Sequence, residues 1–103
     1  MKTTEVTAVR VYLNEKDGHF ESLLRRLHDV EKVRGVTVFR GISGFGESGE
    51  MHSARLVDLT LNLPVVVEFF DVPDKVARII EHIHSTIKPG HIIQWTAHAN
   101  EID

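Results

Sequence analysis

The amino-acid sequence predicts an α+β domain whose elements follow one another in the order β-α-β-β-α-β. Three observations lead to this prediction. Four short runs have the apolar pattern of strands, two stretches carry apolar residues at helical spacing, and glycines cluster between the second and third strands. The 103 residues, of which 42% are hydrophobic and 26% charged, correspond to one globular domain spanning residues 1–103.

The first half of the chain is predicted to hold a strand, a helix and a second strand. Residues 5–13 alternate in hydrophobicity, and one face of this strand carries Val9, Val11 and Leu13. Asp17 is a helix start signal, after which apolar residues recur at helical spacing: Phe20, Leu23, Leu24 and Leu27. We expect Gly35 to end this helix in the left-handed conformation, and residues 36–42 to form the second strand.

The second half is predicted to hold a strand, a helix and a last strand. Residues 54–61 fit either a returning strand arm or an irregular stretch, and Pro64 opens the third strand because a first residue need not donate to the ladder. Residues 71–74 start the second helix, whose apolar stripe is Val76, Ile79, Ile80, Ile83 and Ile87. Residues 88–90 are predicted to end this second helix. The last strand, 91–99, has one face formed by Ile93, Trp95, Ala97 and Ala99.

This order is the split arrangement called ferredoxin-like, with both helices on one face of a four-stranded, antiparallel-type sheet and a long loop between the second and third strands. We assign a substantially apolar set of residues to the uncovered face: Val6, Ala8, Tyr12, Val66, Phe70 and Ile92. A monomer seldom leaves such a surface in water, so we expect homo-oligomerisation. The same face is assigned Arg10, Glu68 and Gln94. Arg10 and Glu68 could pair across neighbouring strands, either as a structural ion pair or as ligand contacts.

Composition and charge exclude several classes of function. The formal net charge of −3 argues against nonspecific nucleic-acid binding, and no apolar run approaches the ~20 residues that span a bilayer. The absence of cysteine excludes disulfides, thiolate metal sites and cysteine nucleophiles. No secretory signal is present, so we expect a cytoplasmic protein without membrane insertion. No nucleophile with an adjacent base and orienting group is evident, and we therefore expect no enzymatic activity.

Segment 41–49 contains four glycines in nine residues, so it is not the interior of a helix or sheet. The composition predicts a long mobile loop whose backbone closely approaches another group. No Gly-Lys-Ser/Thr closes it, so it is not a Walker motif. The backbone amides of residues 44–46 could hold an anion, or the loop could simply be flexible. Arg40 precedes the segment and could bring positive charge to its base.

The seven histidines are poorly spaced for a metal site. His82 and His84 point ~200° apart on a helix, and His91 and His98 face opposite sides of a strand. His52, within the loop, is the best candidate for a ligand or sensor role, although loop histidines are mostly solvent-exposed hydrogen-bonding groups.

Three stretches of this sequence, 35–46, 51–54 and 63–68, together with Asp71, resemble the PII-like proteins grouped as domain-of-unknown-function family 190. At longer range the chain is similar to the PII nitrogen regulatory proteins, which also have a strand ending in Gly-Phe-Gly, a long loop and a returning strand. The resemblance implies a ferredoxin-like subunit that forms a homotrimer through its sheets. It also implies a non-enzymatic signalling role and an adenine nucleotide, held without covalent attachment, in clefts between subunits.

The resemblance also implies where such a ligand would bind. The loop base would contribute Gly44, Phe45 and Gly46, and the turn before the last strand would contribute Lys88, Gly90 and His91. Two further candidates are His52, since the resembling family carries histidine at this place, and Arg40, which flanks the loop and could otherwise simply be solvated. Loop 43–56 would respond to the ligand and present a surface to an unidentified target protein. The chain departs from the PII pattern after Gly46, where Glu47-Ser48-Gly49-Glu50 replaces basic and amide residues. The alternative is a metal-responsive or metal-binding trimer that uses the loop histidine.

Overall fold

The computed structural model describes residues 1–17, 19–46, 48–53 and 62–101. In chain order, the strands and α-helices are β1 (Thr3–Asn14), α1 (His19–Asp29), β2 (Val36–Arg40), β3 (Ser43–Gly44), β4 (His52–Ser53), β5 (Pro64–Asp71), α2 (Pro73–Ile83) and β6 (Ile92–Asn100). The main sheet is antiparallel and has the strand order β2-β5-β1-β6, while β3 and β4 form a separate two-stranded ladder. The predicted ferredoxin-like α+β fold is confirmed.

The core lies between the two helices and one face of the sheet. Val9, Val11 and Leu13 of β1 are in register with Phe69, Val67 and Val65 of β5, and all six side chains are buried. Both helices pack on this face through the predicted stripes, of which the fully or nearly buried members are Leu23, Leu27, Val76, Ile79, Ile83 and Ile87. Among the described residues, no helix is both long and apolar enough to cross a lipid bilayer.

Helix α1 ends earlier than the sequence predicted. Its last residue is Asp29, and the chain turns at Lys32, whose φ of 52° is left-handed, so the prediction that Gly35 ends the helix was wrong. The Val33 amide donates to the Leu27 carbonyl at 3.1 Å. The Lys75 ammonium of α2 donates to the Lys32 carbonyl at 2.7 Å, so a contact from the other helix stabilises a turn that glycine is not needed to make.

The two faces of β6 are the reverse of our assignment. Ile93 and Trp95 are in register with Arg10 and Ala8 and therefore face away from the helices. Ile92 and Gln94 are in register with the core residues Val11 and Val9, so placing these two on the uncovered face was wrong. In β6 the residues of both faces include apolar side chains, so hydrophobic alternation alone does not say which face is buried. A shift of one residue in register would exchange the two faces.

The helix-free side of the sheet, the outer face, carries a row of half-exposed apolar side chains. Its large members, each between 39% and 46% exposed, are Tyr12, Phe39, Phe70, Ile93 and Trp95. At its centre the predicted pair is confirmed, since Arg10 Nε lies 2.7 Å from Glu68 Oε1. The hydrogen bond to Glu68 raises the pKa of Arg10 above its ordinary value, so the charge persists at all physiological pH.

The Arg10 guanidinium also contacts aromatic rings on both sides of its strand. The guanidinium carbon, Cζ, lies 5.8 Å from the centroid of the Trp95 ring and 6.0 Å from the centroid of the Phe39 ring, and both distances are within cation–π range. The charged Arg10 guanidinium thus lies within the apolar outer face, where it already interacts with Glu68, Trp95 and Phe39.

Shortening the fully buried Leu27 should destabilise the fold. We expect Leu27→Ala to lower the free energy of unfolding by about 2–5 kcal/mol, because it leaves a cavity between α1 and the sheet. Urea denaturation at a fixed protein concentration measures this. Val30→Ala, at a position 61% exposed, should change the value by less than about 0.5 kcal/mol. Equal effects of the two substitutions would contradict the assignment of the core.

Candidate ligand-binding cleft

A cleft of about 450 Å³ lies where the ends of β1, β2 and β5 meet the base of loop 43–56. This volume falls within the range of small-molecule sites. Six of the eight predicted site residues line it: Arg40, Gly44, Phe45, Gly46, Lys88 and His91. Gly90 belongs to the adjoining turn but is not part of the wall. His52 is in register with Gly44 through its backbone, and its side chain lies outside what the structure describes.

The base of loop 43–56 is more ordered than the glycine content predicted. Ser43 and Gly44 pair with Ser53 and His52 in the β3–β4 ladder, so a short strand lies within the segment that the sequence predicted as loop. Residues 54–61, for which the sequence left two alternatives open, lie outside the described part of the chain. The ladder sets the direction in which Phe45 and Gly46 leave the sheet.

Two glycines allow the loop base to pack closely on Pro64. The Gly41 amide donates to the Pro64 carbonyl at 2.7 Å. A Cβ atom at Gly41 would lie 3.0 Å from Pro64 Cγ, and one at Gly44 would lie 3.2 Å from the same atom. Gly46 is different, because a Cβ there would meet no heavy atom within 4 Å. The first two glycines are therefore explained by packing, whereas Gly46 is open toward the cleft.

The turn before β6 is fastened to β1 through His91. The Tyr12 amide donates to the His91 carbonyl at 2.8 Å, and the His91 ring contacts the Tyr12 carbonyl through Nδ1 at 2.9 Å. A carbonyl only accepts, so Nδ1 carries the hydrogen, and in the neutral ring Nε2 is left as an acceptor. The turn itself depends on Gly90, whose φ is 82°, and places Lys88 on the cleft wall.

The two lining cations differ in their partners. Arg40 Nε forms an ion pair with Glu15 Oε1, and the Glu15 side chain is only 19% exposed. Lys88 forms no side-chain ion pair or hydrogen bond with another described residue. Glu15 was missed by the sequence analysis, because nothing in the sequence relates a residue after β1 to the end of β2.

Aromatic residues of the wall were also missed as site residues. Tyr12 and Phe39 line the cleft and belong to the outer face as well. The alternation of the strands is a signal that would have found them, because each lies near the end of its strand and on the same face of the sheet. Together with Phe45 they give the cleft an apolar part of its lining.

Within the described residues, no three His, Cys, Asp or Glu side chains come together as a possible metal site. Two of the histidines have carboxylate partners instead. His82 Nδ1 lies 3.0 Å from Glu31 Oε2, and His28 Nδ1 lies 2.7 Å from Asp29 Oδ1.

A family model matches residues 6–99, and its family is DUF190, described as "Uncharacterized ACR, COG1993". The chain belongs to this family. A UPF0166 protein of Aquifex aeolicus is 32% identical over 88 residues, covering 81% of this chain and 83% of the relative. UPF0166 protein MJ1524 of Methanocaldococcus jannaschii is 31% identical over 93 residues, covering 82% of each. The resemblance seen in the sequence is confirmed at the level of the family.

Solved structures with this fold include CPII, a nitrogen regulatory PII-like protein of Thiomonas intermedia. CPII bound to ADP and bicarbonate has a TM-score of 0.73 and 18% identity, with 97% of this chain and 93% of CPII covered. A PII-like protein of Thermus thermophilus has a TM-score of 0.63 and 12% identity, with coverage of 96% and 91%. At such low identity the likeness shows the shared fold alone.

The close approach at Gly41 should be sensitive to a single methyl group. We expect Gly41→Ala to lower the free energy of unfolding by about 1–3 kcal/mol, because its Cβ would be forced against Pro64. Gly35→Ala is the matched control, since no atom lies within 4 Å of a Cβ there. Urea denaturation of both variants measures the difference. A Gly41→Ala variant as stable as Gly35→Ala would contradict the packing described for the loop base.

Proposed function

We propose that this protein is a PII-like regulatory protein that binds an adenine nucleotide in the cleft at the base of loop 43–56. It acts without catalysis in the cytoplasm, as a homotrimer whose subunits complete one another's clefts. The observation that carries the proposal is the cleft itself, which brings the glycine backbone of the loop base to the same wall as Lys88 and His91. That CPII is described as bound to ADP and AMP supports the choice of ligand.

The chemistry of the cleft suits a nucleotide. The aromatic surface of Tyr12, Phe39 and Phe45 would pack against a purine ring. The Lys88 ammonium and the backbone amides near Gly46 would bind phosphate oxygens, which accept hydrogen bonds from both. All of these groups line the same cleft of about 450 Å³, so one ligand of nucleotide size would reach them together.

The outer face explains why a second subunit would be part of the site. Tyr12, Phe39 and Val66 line the cleft and also belong to the outer face. A second copy that covers the half-exposed aromatic rings would therefore also close one side of the cleft. Arg10 and Glu68 are already paired, which reduces the cost of burying this face between subunits.

The proposal also includes a response of loop 43–56 to what the cleft holds. Ser43, Gly44, Phe45, Gly46 and Ser48 all line it, so a ligand would touch the backbone that sets the course of the loop. A ligand that binds one loop arrangement more tightly shifts the population toward that arrangement. The loop would then present or withdraw a surface for a target protein.

Nucleotide binding is tested by calorimetry with ATP, ADP, AMP and cyclic AMP. We expect saturable binding, weakened at least about tenfold by Lys88→Ala, which removes a lining cation that has no ion pair with another described residue. Lys2→Ala, at the opposite end of β1, is the matched control and should bind as the wild type does.

Calorimetry of Gly46→Ala tests whether the ligand lies close to the backbone at Gly46. The free protein has room for the added methyl group, so lost affinity would report on the space that the ligand occupies. Gly35→Ala, where the added Cβ also meets no neighbouring atom, is its control.

No heat of binding with any of the four nucleotides would refute the proposal. A thermal shift with zinc or copper, abolished by His52→Ala, would then support the metal-responsive alternative.

The homotrimer is tested by light scattering. We expect a mass three times the 11.7 kDa of the chain. Ile93→Lys places a second cation in register with Arg10 on the outer face, and it should reduce the mass to that of one chain. Val30→Lys, at an exposed position after α1, should leave the mass unchanged. A wild-type protein that stays a monomer at micromolar concentration would rule out a site shared between subunits.

A further inference from the structure

We infer that Glu15 restricts the cleft to nucleotides with a single phosphate group, because it holds Arg40 in an ion pair. This inference rests on the proposed nucleotide-binding function and concerns the charge that the same site presents. The cleft wall contains one lysine and one arginine among the described residues, Lys88 and Arg40, and the arginine is neutralised by a carboxylate from a neighbouring turn.

Glu15 is held firmly where it meets Arg40. It begins the 3₁₀ turn Glu15–Asp17 that follows β1, and its amide donates to the Leu63 carbonyl at 3.0 Å. The next amide, that of Lys16, donates to Asn62 Oδ1 at 3.0 Å. Two hydrogen bonds thus fix the backbone of this turn against the chain that enters β5, which keeps the Cα of Glu15 beside Arg40.

Arg40 is the more exposed partner, and Glu15 is the one that depends on the ion pair for its counter-charge. The Arg40 side chain is 65% exposed, whereas that of Glu15 is 19% exposed. If Arg40 turned toward a ligand, a largely shielded carboxylate would lose its counter-charge. Among the described lining residues of this subunit, the available positive charge is therefore close to that of Lys88 alone.

That charge offsets a larger share of one phosphate group than of three. A phosphate monoester carries about −1.5 to −2 at neutral pH, and each further phosphate adds negative charge that the wall does not compensate. The loop after Gly46 adds Glu47 and Glu50 to the sequence instead of cations. A longer polyphosphate would thus gain few new contacts while meeting a carboxylate beside Arg40.

The inference is tested by titrating AMP, ADP and ATP without divalent cations, because Mg²⁺ would neutralise the longer phosphate chains. We expect the wild-type protein to bind AMP at least about tenfold more tightly than ATP. Adding Mg²⁺ should narrow this difference. This comparison needs no substitution and therefore holds even if a variant fails to fold.

Glu15→Gln separates charge from shape, because glutamine keeps the length and still accepts a hydrogen bond from Arg40. We expect it to reduce the preference for AMP over ATP about tenfold, by releasing the Arg40 charge to the ligand. Adding Arg40→Gln to this variant should remove the gain. Glu81→Gln, an exposed position on α2, controls for the change in net charge and should keep the wild-type preference.

The outcomes distinguish this inference from the function on which it rests. If no adenine nucleotide binds, the proposed function fails and the inference fails with it. If ATP binds as tightly as AMP to the wild type, or if Glu15→Gln folds and keeps the wild-type preference, only the inference is overturned.

Discussion

The antiparallel pairing of β1 with β5 on one side and β6 on the other is the constraint on which the rest of the structure depends. This register directs Val9 and Val11 into the core and Arg10 toward Glu68 on the outer face. The strand also ends beside the loop base, so the same register brings Tyr12 into the cleft and Glu15 to Arg40. A slip of one residue would exchange the faces and remove these contacts together.

The outer face and the cleft are parts of one surface. Tyr12 and Phe39 belong to both, and the Arg10 guanidinium contacts the Phe39 ring. Covering the outer face and completing the cleft would therefore be one event. This arrangement gives a small domain a way to couple assembly with ligand binding, because the same aromatic side chains would take part in each.

Ion pairs in this protein mostly set the local charge rather than the stability. Arg10, Arg26 and Arg40 each pair with a glutamate, and the three arginine side chains are 41% to 65% exposed. Their larger effect is electrostatic. The pair with Glu15 neutralises Arg40 in the cleft, which leaves Lys88 as the cation without an ion pair among the described lining residues.

The sequence by itself determined the fold class, the apolar stripes of the helices, the Arg10–Glu68 pair and the family. The reason is that the spacing of apolar residues and the local motifs are properties of the sequence. Only the tertiary structure decided which face of β6 is buried, since both sets of alternate residues carry apolar side chains and the register selects between them. The same holds for the turn at Lys32, which Lys75 stabilises from another helix. Glu15 met Arg40 only because the chain folded, so contacts distant in sequence determined the charge of the cleft.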